Sequence, residues 1–399
     1  MKPLHALMIL ALLLAGCTSS PTPEPTAPPT SAGSSMPTLP TIALVHGRLI
    51  DGAGSSPIDD AVLLIQGGTI VAAGPASAVA IPHGARVLDA SGATILPGFI
   101  NAHVHDAYSA ERLRAWAQAG VTTVRDEGSH GSLSEALDLR RSLSSYPQYA
   151  RLVSAGAMLS PTGGYGDLHA DSVAEVRQRV DEEAALGVEA VKFSLETGYA
   201  GVSGLPVFTP EEVAALVDEA HAKGLRVSVH VTQAAFLKQA VEAGVDDIAH
   251  AVYDYLPDET IRELVQRKIP LVPTLTVFAA YGALESTSAN VGLMAQDGVT
   301  LALGNDYTFV PQAGFPHFEL GMPMYEINAL HDAGLTPMQI IQAATANSAL
   351  VCGLDSRLGK LQPGRQADVL VVRGDPLSDL GTLAQPVWVI HDGVIIRQP

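Results

Sequence analysis

Through the middle of the chain, short apolar runs alternate with longer segments whose apolar positions recur at helical spacing. Residues 172–186, 210–223 and 234–243 show the helical spacing most clearly. Strands that alternate with amphipathic helices predict an α/β fold with a parallel sheet, and eight such units predict a (β/α)8 barrel of the TIM type. The eight runs are residues 99–103, 121–125, 151–155, 190–193, 226–230, 246–250, 270–274 and 300–304.

Both ends of the chain have a different pattern, in which short apolar runs are separated by turn signals. Gly67-Gly68 lies between two of these runs and predicts a β-hairpin. The two β-rich ends most simply pair into one composite β-sandwich domain, formed by residues 41–97 and 360–399, beside a barrel domain of residues 98–359. The runs are residues 42–45, 61–65, 69–73, 86–88, 368–372, 387–390 and 394–397.

The first 17 residues have the pattern of an export signal. Lys2 precedes an apolar run, residues 4–16, that is too short to span a bilayer. The run ends in Leu14-Ala15-Gly16-Cys17, which resembles the lipobox of bacterial lipoproteins. We therefore expect residues 1–17 to be a lipoprotein signal peptide and Cys17 to be lipidated. An ordinary signal peptide with an incidental cysteine is the alternative.

Residues 18–40 are rich in proline, serine and threonine, a composition that cannot bury a core and favours an extended tether. Together with Cys17, this segment predicts an exported protein that contacts the membrane through a lipid anchor alone. The anchor would hold it at the outer face of the cytoplasmic membrane, or in the periplasm or outer membrane.

Composition narrows the possible partners. A formal net charge of -18 is opposite to the basic character of nucleic-acid-binding proteins, so no nucleic-acid partner is expected. The second of the two cysteines, Cys352, lies in an apolar stretch and is expected to be a buried hydrophobic residue. An oligomer is compatible with the composition.

Polar residues capable of metal chemistry follow several of the predicted barrel strands, where barrel enzymes place their active sites. In His103-x-His105 both side chains point to the same face of a strand, and imidazole with carboxylate suits zinc. Histidines that line a barrel without metal are the alternative. Lys192 has no acceptor atom, so it either pairs with a carboxylate, points outward, or reacts with carbon dioxide to give a carbamate. The full set is His103, His105, Lys192, His230, His250 and Asp306.

Three longer motifs resemble the amidohydrolase superfamily. Residues 96–105, LPGFINAHVH, are similar to the opening of its barrel, and residues 120–126, GVTTVRD, to the second strand of its imidazolonepropionase and prolidase-like branch. Residues 359–369, GKLQPGRQADV, are similar to the return into its sandwich domain. The resemblance covers nearly all of residues 41–399 and implies a metal-dependent hydrolase.

The resemblance also implies a ligand set for two divalent metal ions, with zinc the expected metal. Lys192 would bridge them as N6-carboxylysine, and a hydroxide shared between the ions would be the nucleophile. Asp306 would be the catalytic residue that takes the proton of the nucleophile and delivers it to the leaving group. His103, His105 and Asp306 would hold the first ion, and His230 and His250 the second.

The chain departs from the family pattern at three positions. Asn305 precedes Asp306 where relatives usually have threonine, Thr232 stands where many have a second histidine, and Tyr165 stands where many have a histidine after strand three. Candidate substrate contacts in the loops above the strands are Tyr165, His169, Tyr253 and Tyr307, for which plain loop packing is the alternative.

The expected reaction is hydrolysis of an amide bond in a small-molecule substrate, namely a small peptide or an N-acyl amino acid. A lactone, an ester or a cyclic amide could be cleaved by the same site. A non-catalytic, ligand-binding lipoprotein is a third reading, against which Asp306 argues. Arg125 and Asp126, at the end of the second strand, are expected to form a structural salt bridge, with a catalytic role as the alternative.

Overall fold

The computed structural model describes residues 40–128, 131–199, 201–308 and 317–399. Cys17, the signal segment and residues 18–39 of the tether lie outside the described residues. None of the described helices is long and apolar enough to cross a membrane.

Strands from both ends of the chain form one mixed eight-stranded sheet, which is the β-sandwich part of the fold. From one edge to the other its order is β17-β16-β15-β5-β1-β2-β3, and β4 pairs with β1. The two ends join where β15 runs antiparallel to β5, with Val369 opposite Pro97. The strands are β1 (Ile42–Leu49), β2 (Ile58–Gln66), β3 (Thr69–Pro75), β4 (Arg86–Asp89), β5 (Ala93–Pro97), β15 (Val369–Arg373), β16 (Pro386–His391) and β17 (Val394–Arg397).

The middle of the chain forms a TIM barrel of parallel strands, as the sequence predicts. Two stretches of sheet, β6-β7-β8 and β9-β11-β12-β13-β14, make up its wall, and β10 flanks β9. The backbone bonds from Glu189 N to Ser154 O and from Lys192 N to Ala155 O join β8 to β11. The strands are β6 (Phe99–Val104), β7 (Val121–Asp126), β8 (Arg151–Ser154), β9 (Met158–Ser160), β10 (Leu168–His169), β11 (Ala190–Leu195), β12 (Arg226–Val231), β13 (Asp247–Ala249) and β14 (Leu271–Val272).

The eighth predicted run, residues 300–304, closes the barrel without forming a regular strand. Isolated bridges join Leu301 to Leu271 and Tyr307 to Val104. A side chain at Gly304 would place its Cβ 2.7 Å from Cβ of His103, so this segment approaches the first strand unusually closely. Asp306 then takes a left-handed φ of 54°, which turns the chain out of the ladder.

Helices cover the outside of the barrel, and their ends follow the usual capping chemistry. Ser172 caps α3, which ends at Gly187 with φ 90°, and Thr209 forms a capping box with Glu212 at the start of α4. The helices are α1 (Ala110–Gln118), α2 (Leu133–Leu143), α3 (Val173–Leu186), α4 (Pro210–Ala222), α5 (Ala234–Ala243), α6 (Asp258–Arg267), α7 (Leu275–Ala280), α8 (Leu284–Gln296), α9 (Met324–Asp332), α10 (Pro337–Gln342) and α11 (Ser348–Val351), with a π-helical turn at Ala343–Asn347 and a 3-10 helix at Leu380–Ala384.

Arg125 forms its salt bridge with a partner other than the predicted one. Its two terminal nitrogens each lie 2.8 Å from an oxygen of Asp247 on β13, inside the barrel. Asp126 instead accepts backbone bonds from Ala107 and Gly128. Arg125 therefore has the predicted structural salt bridge, but Asp126 is not its partner, because neighbouring residues on a strand point to opposite faces.

The third barrel strand is broken between β8 and β9, where a carboxyl group is buried. Glu183 of α3 accepts the N–H of Ala157, and its second oxygen has no hydrogen bond among the described residues. Gly156, with φ 72°, leaves room for this carboxyl, since a Cβ there would lie 2.4 Å from its oxygen. Burial raises the pKa of Glu183 to about 8, so the side chain is protonated in the folded protein at neutral pH.

We expect Glu183 to make the fold sensitive to alkaline pH. The folded state keeps a proton that the unfolded state loses above the ordinary glutamate pKa, so stability falls as pH rises from there to about 8. The loss is up to about 1.4 kcal/mol per pH unit. Glu183→Gln removes the charge, so its melting temperature at pH 8 should exceed that of the natural chain, with little difference at pH 4.5. An equal pH dependence of the two proteins would contradict this assignment, and Glu182→Gln, exposed on the same helix, is the control.

Candidate active site

The four histidines from the predicted set form a continuous arc at the carboxyl end of the barrel. His103 lies in β6 and His230 in β12, while His105 and His250 follow β6 and β13. The ring centre of His103 lies 5.3 Å from that of His105 and 4.7 Å from that of His250. The ring centres of His230 and His250 are 4.4 Å apart. The strand ends therefore bring these rings together although they span almost 150 residues of sequence.

Asp306 completes one half of this arc. Its Oδ1 lies 3.1 Å from Nε2 of His103 and 3.0 Å from Nε2 of His105. One possible ligand atom from each of the three residues lies within 4.8 Å of the others. Nδ1 of His105 donates to Gly128 O, which leaves the lone pair on Nε2 when the ring is neutral.

The polar atoms of this half of the arc fit a divalent cation better than they fit one another. Among the described residues, both ring nitrogens of His103 and Oδ1 of Asp306 are buried without a hydrogen bond of acceptable geometry. Buried polar atoms are nearly always paired, so these atoms call for a partner. Two imidazoles and one carboxylate are a usual ligand set for zinc with a position left for water.

The protonation of the site suits metal binding in most positions. Burial, with the charge of Lys192, lowers the pKa of His103 to about 4, and burial holds the pKa of His250 well below its usual value. At His105 burial is outweighed by the negative charge of Asp306, whose Oδ1 lies 3.0 Å from Nε2, and the pKa is raised to about 9. A metal ion bound there would displace that proton.

The backbone at this end of the barrel is strained at three positions. His250, Thr274 and Asp306 have φ values of 78°, 52° and 54°, in the region that favours glycine. Such conformations cost about 1–3 kcal/mol each and persist where the surrounding structure holds them. Here they turn side chains at the ends of consecutive strands towards the barrel axis.

Lys192 is paired with a carboxylate that the sequence analysis missed. Its Nζ donates to Oε2 of Glu127, which also accepts the hydroxyl of Ser228, while Oε1 of Glu127 lies 2.8 Å from Nε of Arg125. Glu127 has the same strand parity as Arg125, and that parity was the signal that could have found it. The structure thus contains the lysine–carboxylate pair that was one of the readings left open.

Glu196 is a second missed carboxylate, and it contacts His230. Its Oε2 lies 3.4 Å from Nε2 of His230 and accepts the hydroxyl of Thr232, while Oε1 accepts the N–H of Gly198. If Nε2 of His230 donates to this carboxylate, Nδ1 carries the lone pair that can hold a metal. Thr232, which replaces a histidine of many relatives, thereby fixes the carboxylate that orients His230.

His250 is oriented by a comparable contact. Its Nδ1 lies 2.7 Å from the hydroxyl of Thr274, and that hydroxyl donates to Pro273 O. Nδ1–H must then be the donor, which leaves Nε2 of His250 as the ligand atom. Glu326 fixes the next residues by accepting the N–H groups of Leu275 and Thr276 at the start of α7.

The four residues predicted to contact substrate lie in different surroundings. The ring of Tyr165 lies 4.6 Å from that of His230. Tyr253 is 39% exposed, and its hydroxyl accepts a bond from Gln233 in the neighbouring loop. His169 is exposed on β10, 3.3 Å from the hydroxyl of Ser160. Tyr307 is buried with its ring 5.2 Å from that of Trp116 on α1, so it packs in the wall of the barrel.

A second group of possible metal ligands lies at the other end of the barrel. Asp368, His391 and Asp392 approach one another there. Arg151 donates to both carboxylates, at 2.7 and 2.6 Å, so this group has a cation of its own and ties the C-terminal hairpin to β8.

Residues 94–396 match the model of the amidohydrolase family. The chain belongs to the amidohydrolase family. Among its relatives, ochratoxinase of Aspergillus niger is 28% identical over 342 residues, 72% of this chain and 68% of that protein. Imidazolonepropionase of Symbiobacterium thermophilum is 25% identical over 370 residues, 79% of this chain and 84% of that protein. The crystal structure of a putative prolidase from Bifidobacterium longum superposes with a TM-score of 0.77 at 27% identity, covering 91% of this chain and 96% of that one.

Family membership confirms two predictions made from the sequence. The fold is the amidohydrolase TIM barrel with a β-sandwich built from the chain ends, and the protein is an amidohydrolase-type, metal-dependent hydrolase acting on carbon–nitrogen bonds. The branch that contains imidazolonepropionase, prolidase and ochratoxinase is also the one that the motifs indicated.

We expect Glu196→Gln and Thr232→Val each to weaken metal binding about 10- to 100-fold, because outer-shell partners of ligating histidines typically contribute that much. The measurement is metal retained during competition with a chelator, quantified by mass spectrometry. Glu182→Gln is the control, since this carboxylate is exposed on α3 and pairs with Arg179. Unchanged affinity in both variants would show that Glu196 does not orient His230.

Proposed function

We propose that this amidohydrolase cleaves the amide bond of a small substrate, a short peptide or an N-acyl amino acid. The observation that carries the proposal is the donor set formed by buried His103 with half-buried His105 and Asp306 at the carboxyl end of the barrel. The names of similar proteins support the substrate class, since a Xaa-Pro dipeptidase and a putative prolidase are among the solved structures with this fold.

Two divalent ions, with zinc preferred, are part of the proposal. His103, His105 and Asp306 would hold one, and His230 with His250 the other; Lys192 would bridge them as N6-carboxylysine. When bound, such ions polarise the scissile carbonyl and bring the pKa of water near neutrality. The carbamate requires Lys192 to leave its present hydrogen bond with Glu127.

Asp306 supplies the proton transfer in this proposal. The charges of His103 and His105, both close to the carboxylate, outweigh burial and hold the pKa of Asp306 well below its ordinary value, so its carboxylate is ionised. Its side chain is 14% exposed and follows the last barrel segment, so it reaches the space where substrate enters. The carboxylate can accept a proton from the attacking water and pass it to the leaving nitrogen.

The cellular setting is also a proposal. Cys17 and the proline-rich segment after it support an exported enzyme held at the cell envelope by a lipid anchor. Cleavage of a lactone, an ester or a cyclic amide would use the same residues, and assays of matched substrates separate these from linear amides.

Asp306→Asn should lower kcat for a hydrolysed N-acyl amino acid by about 100- to 10,000-fold, because the amide cannot accept the proton. Circular dichroism and the melting temperature should show that the variant remains folded. The natural chain, loaded with zinc and screened against dipeptides, N-acyl amino acids and lactones, provides the reference rate. A variant that keeps the natural rate would exclude Asp306 as the proton carrier.

Lys192→Ala should reduce bound metal from about two ions per chain to one, because the bridging carbamate is lost. Short carboxylic acids such as acetate should restore part of the lost metal. Elemental analysis after loading in bicarbonate provides the measurement, with Lys223→Ala as a matched control in an exposed ion pair. Two ions in the variant would mean that Lys192 serves only to balance Glu127.

A further inference from the structure

The side chains above the strand ends indicate which substrates the site accepts. Building on the proposed amide hydrolysis, we propose that Tyr165 and Tyr199 form a subsite for an aromatic group attached next to the scissile carbonyl of a substrate that is uncharged on that side.

Three rings lie in a row from the strand ends to the surface. The ring of Tyr165 is 4.6 Å from that of His230 on β12, at an interplanar angle of 46°. The ring of Tyr199 is 4.7 Å from that of Tyr165, at 62°, which is an edge-to-face contact. A planar substrate group that enters beside His230 would therefore meet an aromatic wall whose contacts already have the preferred geometry.

The inner ring of this row is held in place. The backbone oxygen of Tyr165 accepts the hydroxyl of Ser194, which lies on β11 between Lys192 and Glu196. The preceding Gly164 packs so tightly that a Cβ there would lie 2.8 Å from Pro206 O. A side chain fixed in this way is preorganised, so little conformational entropy is lost when a ligand packs on it.

The outer rings are accessible. Tyr199 is 45% exposed and Tyr281, which follows α7, is 46% exposed. Large aromatic side chains exposed together at the open end of a barrel are typical of binding sites. Three separate connections, after β9, β11 and α7, thus each supply a tyrosine.

The charges near Tyr165 restrict the substrate further. Two carboxylates flank the histidine ring on which Tyr165 packs: Oε2 of Glu196 lies 3.4 Å from Nε2 of His230, and Asp306 lies against His103 and His105 in the same group of histidines. A substrate carboxylate on this side would approach both carboxylates and be repelled. The subsite therefore favours an uncharged aromatic group and leaves any substrate carboxylate on the leaving-group side.

A second tyrosine pair offers a matched control. Tyr146 and Tyr149 form an edge-to-face contact, with ring centres 6.5 Å apart, before β8 begins. This position is at the amino end of the barrel strands, opposite to the histidines, and Tyr146 is 54% exposed. The pair tests whether loss of any exposed tyrosine ring is enough to change ligand binding.

The experiment measures binding without turnover, using the full chain loaded with zinc. Phenylacetohydroxamate, cyclohexylacetohydroxamate and acetohydroxamate share a metal-binding group and differ in the group beside the carbonyl. Isothermal titration calorimetry should show the phenyl compound binding about 3- to 10-fold more tightly than the cyclohexyl compound, and the acetyl compound binding most weakly. Tyr165→Leu and Tyr199→Leu should bring the phenyl-to-cyclohexyl ratio close to one. Tyr165→Phe and Tyr146→Leu should keep it.

The outcomes separate this proposal from the function on which it rests. Equal binding of the phenyl and cyclohexyl compounds, or a ratio unchanged in Tyr199→Leu, would overturn the aromatic subsite while leaving metal-dependent hydrolysis intact. If the natural chain binds none of the three hydroxamates, the metal site itself is refuted, and the subsite with it. Because Tyr199 is exposed, its variant tests the idea even where Tyr165→Leu fails to fold.

Discussion

Four buried charged side chains form a connected network inside the barrel, and the arrangement of the histidines depends on the balance of their charges. They are Arg125, Lys192, Glu127 and Asp247. Arg125 is fully buried, and an unpartnered guanidinium there would be strongly destabilising. Asp247 binds it with two hydrogen bonds, and Glu127 lies between it and Lys192. Two positive and two negative groups then occupy the barrel interior directly below the possible metal ligands.

The balance of these four charges would change if Lys192 reacted with carbon dioxide to form a carbamate. A carbamate would replace its positive charge with a negative one, which leaves Arg125 opposite three anions. Divalent cations would offset that excess, so formation of such a carbamate would be coupled to the binding of metal. The pair that Lys192 forms with Glu127 balances the charges of these four side chains without metal.

Much of the fold and part of the site could be predicted from the sequence, because both follow from short-range periodicity. Alternating runs and helices predict a barrel, and barrel strands carry functional residues at their carboxyl ends, which groups His103, His230 and Asp306 before any family is considered. Other features depend on contacts between distant residues. Asp247 meets Arg125 across 122 positions, and nothing local marks it as the partner.

Glu127 and Glu196 were not predicted as site residues, because the sequence alone does not show whether an acidic side chain points into the barrel. Glu127 and Glu196 follow their strands, where an acidic residue is usually solvated, and only strand parity distinguishes an inward carboxylate from an exposed one. The irregular backbone of the eighth barrel segment could not be predicted for a similar reason. It accompanies the close approach of Gly304 to His103 on a distant part of the chain. Local sequence gives the direction of a side chain, and the neighbouring strands decide what it meets.

The pairing of β15 with β5 has a consequence for how the protein is made. During synthesis β5 and the whole barrel leave the ribosome before β15 exists, so the edge of β5 has no partner until the last part of the chain is complete. An unpaired apolar strand edge readily pairs with other chains. A protein built in this way would depend on holdase chaperones that cover that edge, and truncation of the C-terminal strands would leave the edge of β5 open to aggregation.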